Sequence, residues 1–181
     1  MIPFGEIKQF GLESIEIEYK LGKLSRAQFE MVRRHVEQNA TYAMSSTTRH
    51  EFNGSDARRE YDGPGTTHGY ITVYKQRLDD TTGDDGVRCT VSLERHGDDD
   101  TSAPYTMYRV KIRDSFCLLD GAVRIDLTRI ETNDPRYSDA DDYVYEAEVE
   151  VDTSAPAILV YPIEYVIDRA RQFALELSKI S

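Results

Sequence analysis

Six segments of this 181-residue sequence alternate at period two, and in each the non-apolar positions are charged or polar. The first, "IEIEYK", sets Ile15, Ile17 and Tyr19 on one side and Glu16, Glu18 and Lys20 on the other. Such alternation specifies a β-strand whose successive side chains point to opposite faces. Glutamate is not favoured in strands, and two carboxylates two residues apart stand about 7 Å apart at their Cα atoms. At an effective dielectric of about 20 their repulsion is about 2 kcal/mol. A face built this way either looks into water or meets something cationic.

The other five segments sharpen the choice. "MYRVKIRD" places Arg109, Lys111 and Arg113 opposite Tyr108, Val110 and Ile112, and "VRIDLT" places Arg124, Asp126 and Thr128 opposite Val123, Ile125 and Leu127. "RCTVSLE" sets Thr90, Ser92 and Glu94 against Cys89, Val91 and Leu93, while "YITVYKQR" puts Lys75 and Arg77 on one face. "YEAEVEVD" carries Glu146, Glu148 and Glu150 opposite Ala147, Val149 and Val151. The first and last strands are therefore acidic, and the middle ones mainly basic. Like charges side by side destabilise a sheet, so sorting by sign needs a reason. If the strands close with their charged faces inward, five glutamates form the oxygen-rich ligand set that Mg²⁺ or Mn²⁺ prefers. The basic rows opposite are what a polyphosphate requires.

The remaining sequence supplies the elements for such a closure. Ser25 and Gln28 form a capping-box pattern ahead of Phe29, Val32 and Val36, which predicts a helix over Arg26–Asn39. Strands are expected at 42–52, 57–62, 69–78, 87–95, 105–114, 121–130 and 143–152, separated by turn-rich stretches such as "FNGSD" and "DGPGTTHG". Pro162 suits the first turn of a closing helix with Ile163, Val166, Ala170, Phe173 and Leu177 as its apolar stripe. The expected fold class is α+β: a closed antiparallel eight-stranded β-barrel with flanking helices, formed by residues 1–181 as a single domain. The acidic clusters at 79–85, 98–100 and 139–142 read as solvated loops. His35 is placed on a helix surface, and His50, His68 and His96 near turns, without paired ligand spacing.

A net charge of −11 argues against binding along a nucleic-acid backbone, including duplex DNA, but not against gripping one phosphorylated end. Cys89 and Cys117 lack metal-type spacing, which points to a reducing setting. Neither a secretory pattern nor a membrane-length apolar run is present. The expectation is a soluble intracellular protein of cytoplasm or nucleus.

"EIEYK" and "YEAEVEVD", one near each end, resemble the two glutamate-bearing strands of the triphosphate tunnel metalloenzymes. "RVKIRD" followed by "VRIDLT" narrows the resemblance to the metal-dependent RNA triphosphatases of fungi and large DNA viruses, which start mRNA capping. The resemblance implies Glu16, Glu18 and Glu150 as metal ligands for Mg²⁺ or Mn²⁺. It implies catalytic roles for Glu94, which positions water, for Glu146 and Glu148, and for the phosphate-gripping Lys111 and Arg113. Arg59 is preferred over Arg58 as a further phosphate ligand, Lys75 over Arg77, with Arg109, Arg124 and Lys20 beside them and Asp126 and Thr128 in support. The substrates implied are the 5′-triphosphate end of RNA and free nucleoside triphosphates. The chain has no Trp, unlike the segment with which fungal enzymes dock a guanylyltransferase, so that partner stays open. Its compact length is more like a viral enzyme, and a monomer is favoured.

Two rivals stand beside this reading. One is a thiamine triphosphatase or inorganic tripolyphosphatase of the same architecture, against which "RIDLT" and the three-glutamate strand weigh. The other is a non-enzymatic ligand-binding β-barrel or acidic interaction module, whose charged faces would point outward and be indifferent to metal.

Overall fold

Antiparallel pairing runs without a break around the sheet. The computed structural model describes residues 15–21, 23–54, 57–66, 69–83, 87–97, 104–137 and 143–181. The strands are β1 (Ile15–Lys20), β2 (Thr41–Phe52), β3 (Ala57–Asp62), β4 (Tyr70–Thr82), β5 (Arg88–Gly97), β6 (Met107–Leu118), β7 (Val123–Thr132) and β8 (Val144–Val151). They close in the order β1-β5-β4-β3-β2-β6-β7-β8, with β1 paired to both β5 and β8. Closure gives every described strand a neighbour on both sides. Tunnel-facing and outward-facing residues then alternate along each strand.

Among the described residues, two α-helices lie on the outside. In α1 (Arg26–Asn39) the Ser25 hydroxyl accepts from the Gln28 backbone N–H at 3.3 Å, and the Gln28 side-chain Oε1 accepts from the Ser25 backbone N–H at 2.8 Å. This reciprocal cap is the one the sequence pattern calls for. Phe29, Val32 and Val36 face inward from α1, and Val166, Ala170, Phe173, Ala174 and Leu177 from α2 (Ile163–Ser178). Both helices pack on β8, with α2 also reaching β1 and α1 reaching β7. Between them and the barrel lie Ile17, Tyr19, Ile125, Leu127, Val149 and Val151. The hydrophobic core is thus outside the barrel, and the polar faces of the strands are inside it.

Several boundaries differ from expectation for identifiable reasons. Pro162 precedes α2 as its N-cap, with ψ 132°, rather than sitting in the first turn. A β-bulge between Arg77 and Asp79 reverses the side-chain parity of β4. The strand therefore runs to Thr82, although the alternation visible in sequence stops near Leu78. β6 continues to Leu118 because Ser115 and Phe116 keep the in-out order with uncharged residues. The segment before β7 is a short 3-10 turn with positive φ at Leu119, Asp120 and Gly121, so the strand starts at Val123 and not Gly121. His35 is half-buried against Phe173, with ring centroids 6.0 Å apart, rather than lying free on the helix surface. His68 and the clusters at 84–86, 98–100 and 139–142 lie outside the described residues. Among the described residues, no helix is long and apolar enough to cross a membrane.

Phe173 is 1% exposed beneath α2. Phe173→Ala is expected to destabilise the fold by about 3–5 kcal/mol through lost burial and the cavity left behind, as read from urea unfolding midpoints.

Candidate active site in the barrel interior

The barrel encloses a cavity of about 870 Å³. Eight Lys or Arg side chains and six glutamates line it, so the interior is locally cationic in a chain whose net charge is −11.

One wall comes from β1 and β8. Their register sets Glu18 directly opposite Glu150, and Lys20 opposite Glu148. Glu16, Glu18 and Glu150 each offer a carboxylate oxygen, and these oxygens lie within 4.8 Å of one another. Burial, reinforced by the Glu18 charge, pushes Glu16 up to about 9 in spite of Lys75. Burial likewise pushes Glu150 up to about 7, with Arg124 opposing and Glu18 adding. Burial would raise Glu18 too, but Lys20 and Lys75 outweigh it and hold its carboxyl below the usual range. Glu18 Oε2 is buried and has no well-aligned hydrogen-bond donor among the described residues, although Lys20 Nζ stands 2.8 Å away. Three converging carboxylates that resist joint ionisation, one with an unsatisfied oxygen, fit a hard divalent cation with oxygen ligands.

Facing this trio are the cations of β6 and β7. Asp126, 2% exposed, organises them: it accepts from Ser115 Oγ at 2.7 Å, and Arg113 Nε and Arg124 Nε both stand 3.2 Å from its other oxygen. Both Nε groups are poorly aligned for a hydrogen bond, so these contacts with Asp126 are ionic ones. Arg124 also pairs with Glu150, its cross-strand neighbour. Lys111 lines the cavity and has no ion-pair partner within 4 Å among the described residues. It is a cation held in the bore without a protein carboxylate in contact.

The third wall is built by β2 to β5. Arg58 pairs with Glu60 and, at 2.9 Å, with Glu94. Lys75 binds Glu16 and reaches Glu18 at 3.4 Å and Glu94 at 3.5 Å. Burial would raise the Glu94 carboxyl, but Arg58 and Lys75 prevail and keep it ionised below its ordinary value. Glu148, hidden beside Lys20 at 2.6 Å, is depressed in the same way, burial being outweighed by Lys20 and Lys111.

Most of the residues named from sequence meet here, with two differences. Arg59 does not line the cavity: alternation along β3 turns Arg58 inward and Arg59 outward, where its guanidinium lies 4.0 Å from the Tyr105 ring centroid and 4.7 Å from that of Tyr70. Glu146 shares the parity of Glu148 but is outside the cavity lining, opposite Thr128 across the β7–β8 ladder. Asp126 and Thr128, expected in support, are buried behind the cavity lining. Lys20 reaches the bore with its ammonium between Glu18 and Glu148, and Arg77 is at its margin, paired with Asp80. Arg109 is held by Asp134 at 3.2 Å.

His50, expected near a turn, faces the barrel interior. It is 7% exposed in β2, with Nε2 3.2 Å from Thr48 Oγ1 and 3.9 Å from Glu60. Burial, with Lys111, Arg58, Arg113 and Arg109 around it, holds its ring far below the usual histidine range, hence neutral. Its parity with Thr48 and Phe52 was the available signal, obscured because that face of β2 mixes a hydroxyl, an imidazole and a phenyl ring.

No protein-family model matches the chain, and no curated protein matches it by sequence. Solved structures do match. The RNA triphosphatase of S. pombe superposes with a TM-score of 0.69 at 16% identity, covering 96% of this chain and 87% of that one. A mimivirus capping-enzyme triphosphatase superposes at 0.59 and 16% identity, covering 93% and 96%. The chain has the triphosphate tunnel fold. The S. pombe enzyme has also been seen in complex with the Spt5 CTD, with a TM-score of 0.66 at 14% identity and coverage of 94% and 89%.

Two outcomes follow from the tunnel geometry. Without divalent metal, Glu150 keeps a proton in the folded tunnel up to about 7, whereas in the unfolded chain it releases it near 4.5. The unfolded state then binds fewer protons across that window, so this group lowers stability as pH rises through it. Melting in chelator should show the decline, and Glu150→Gln should flatten it. With tripolyphosphate as a polyanion probe of the cavity, Arg58→Ala should lower affinity strongly while Arg59→Ala changes it little, as read by calorimetric titration.

Proposed function

We propose that residues 1–181 act as one metal-dependent triphosphatase domain, and that the preferred substrate is the 5′-triphosphate end of RNA, with free nucleoside triphosphates also hydrolysed. One observation carries the reading: Lys111 and Arg113 face the Glu16–Glu18–Glu150 trio across a single cavity. The fold shared with RNA triphosphatases supports it. The sequence elements "RIDLT" and the three-glutamate β8 favour RNA over thiamine triphosphate or tripolyphosphate.

A divalent ion held by Glu16, Glu18 and Glu150, Mg²⁺ or Mn²⁺, would supply charge neutralisation at the terminal phosphate. The chain's own groups do the rest. Phosphoryl transfer depends chiefly on positioning and on stabilising charge on the phosphoryl oxygens. Lys111, free of a carboxylate contact, binds one of these oxygens, and Arg113, braced by Asp126, binds another. Arg58 and Lys75 extend the grip from the opposite wall. Glu94 and Glu148 stay ionised and so accept hydrogen bonds, which suits either to orient a water in line with the bond to be cut. Water oxygen bonds to the terminal phosphorus, the bond to the bridging oxygen breaks, and orthophosphate separates from the diphosphate-ended RNA. The proton released by water passes through the carboxylate to solvent. His50, neutral among cations, adds a donor without adding charge.

Phosphate release should be compared on triphosphate-ended RNA, a nucleoside triphosphate, thiamine triphosphate and tripolyphosphate, with and without Mn²⁺. RNA is expected to give the highest kcat/KM, and release without metal should be negligible. Equal rates on tripolyphosphate would sink the RNA assignment, and no release from any of the four would sink the catalytic one. Glu16→Ala and Glu150→Ala should abolish turnover in a protein that still melts cooperatively. Lys111→Ala should lower kcat by about two orders of magnitude, equivalent to about 3 kcal/mol of transition-state stabilisation.

A further inference from the structure

The two mouths of the tunnel differ in charge. At the end where β8 finishes, a chamber of about 200 Å³ is lined by Glu16, Glu94, Glu150 and Asp152, with Arg124 as its single cation. Among the described residues that lining offers a polyanion only the Arg124 guanidinium, already paired with Glu150. At the other end β2 finishes, β6 begins and the turn after β7 folds over. Among the described residues, this rim carries Lys23, Arg109 and Arg136 around one buried carboxylate, Asp134, together with the rings of Phe52 and Tyr137.

These groups form a fixed constellation. The Arg109 guanidinium carbon lies 5.4 Å from the Phe52 ring centroid and 5.1 Å from that of Tyr137. Asp134 accepts from Arg109 at 3.2 Å and from Arg136 at 2.6 Å, and those bonds from Arg136 hold its carboxyl well below the usual range. Lys23 Nζ is 4.1 Å from the Tyr137 centroid and donates to the Arg136 carbonyl oxygen at 3.2 Å. With one carboxylate against three cations, the described rim keeps positive charge facing solvent.

We infer that this rim binds the nucleotides following the 5′-triphosphate, so that single-stranded RNA enters here with its terminal phosphate leading. The inference rests on the triphosphatase reading and adds a direction and a substrate class to it. Arg109 lies two residues, about 7 Å, along β6 from Lys111. A triphosphate gripped at Lys111 and Arg113 thus brings its sugar and base to Phe52. Aromatic faces take bases irrespective of sequence, and cations beside them take phosphodiesters. Inorganic tripolyphosphate has nothing with which to reach these rings.

The test is equilibrium binding of a fluorescent 5′-triphosphate oligoribonucleotide in chelator, with tripolyphosphate affinity measured in parallel. Tyr137→Ala and Lys23→Gln are each expected to lower RNA affinity, and with it the preference over tripolyphosphate; base–aromatic stacking places the Tyr137 loss at about tenfold. Added salt should weaken RNA binding less steeply in Lys23→Gln than in the parent protein. Lys23 is exposed, so its substitution does not depend on refolding a packed site. Parent-like RNA affinity in both variants, or an equal loss in Ser154→Ala at the opposite mouth, overturns the inference. If the parent hydrolyses no triphosphate yet these variants lose RNA affinity, the rim stands and the catalytic reading falls.

Discussion

Most of the charge enclosed by the barrel is met by opposite charge within contact distance, and the strand register is what brings the partners together. Lys20 is set between Glu18 and Glu148, Arg124 against Glu150 and Asp126, and Arg58 between Glu60 and Glu94. Breaking one such pair leaves an uncompensated ion in a poorly solvated place, a cost of several kcal/mol. Paired, the same ions add little net stability over apolar residues of similar size. Their contribution is therefore geometric. They define where an anionic group can rest, and Lys111 is the cation among them left for it.

The apolar side of the arrangement is unevenly distributed, and the unevenness matters. Both helices back the wall formed by β1, β7 and β8, where Val123, Ile125, Val149 and Ala170 are fully buried. This wall also carries the acidic trio, so the groups that must converge most closely are mounted on the most densely packed part of the sheet. Interiors at that density transmit rather than absorb displacement. Among the described residues no helix backs the β2–β4 side, and Tyr42 and Tyr70 are exposed on its outer surface. There, arginines resting on tyrosine rings, Arg59 on Tyr70 and Tyr105 and Arg49 on Tyr108, take the place of a hydrophobic layer.

Period-two alternation made the strands and their inner faces legible, because a strand's side-chain parity needs no tertiary information. It sorted Glu16, Glu18, Glu146, Glu148 and Glu150 onto acidic faces and Arg109, Lys111 and Arg113 onto a basic one. The resemblance to the tunnel enzymes singled out Glu16, Glu18 and Glu150 as the trio and Lys111 and Arg113 as its counterpart. Alternation failed wherever parity was interrupted or ambiguous. The bulge after Arg77 hid the last third of β4, and two adjacent arginines in "ARREY" left the inward one to be chosen, with Arg59 preferred where Arg58 points in. Glu146 has the right parity but lies beyond the cavity, since depth along a barrel depends on strand stagger, which a single strand does not encode. His50 and Asp134 went unnoticed for a related reason: each is defined by neighbours brought from other strands or turns.

The ladder joining β1 to β8 unites residues separated by more than a hundred positions, and it is there that Glu18 meets Glu150. During synthesis the two halves of the carboxylate trio emerge at nearly opposite times, and the chain must hold Glu16 and Glu18 without their counterpart until the final strand arrives. Loop closure over so long a separation is slow. Ring closure and assembly of the carboxylate trio are consequently the same event, so a partly folded intermediate with an open seam lacks the trio.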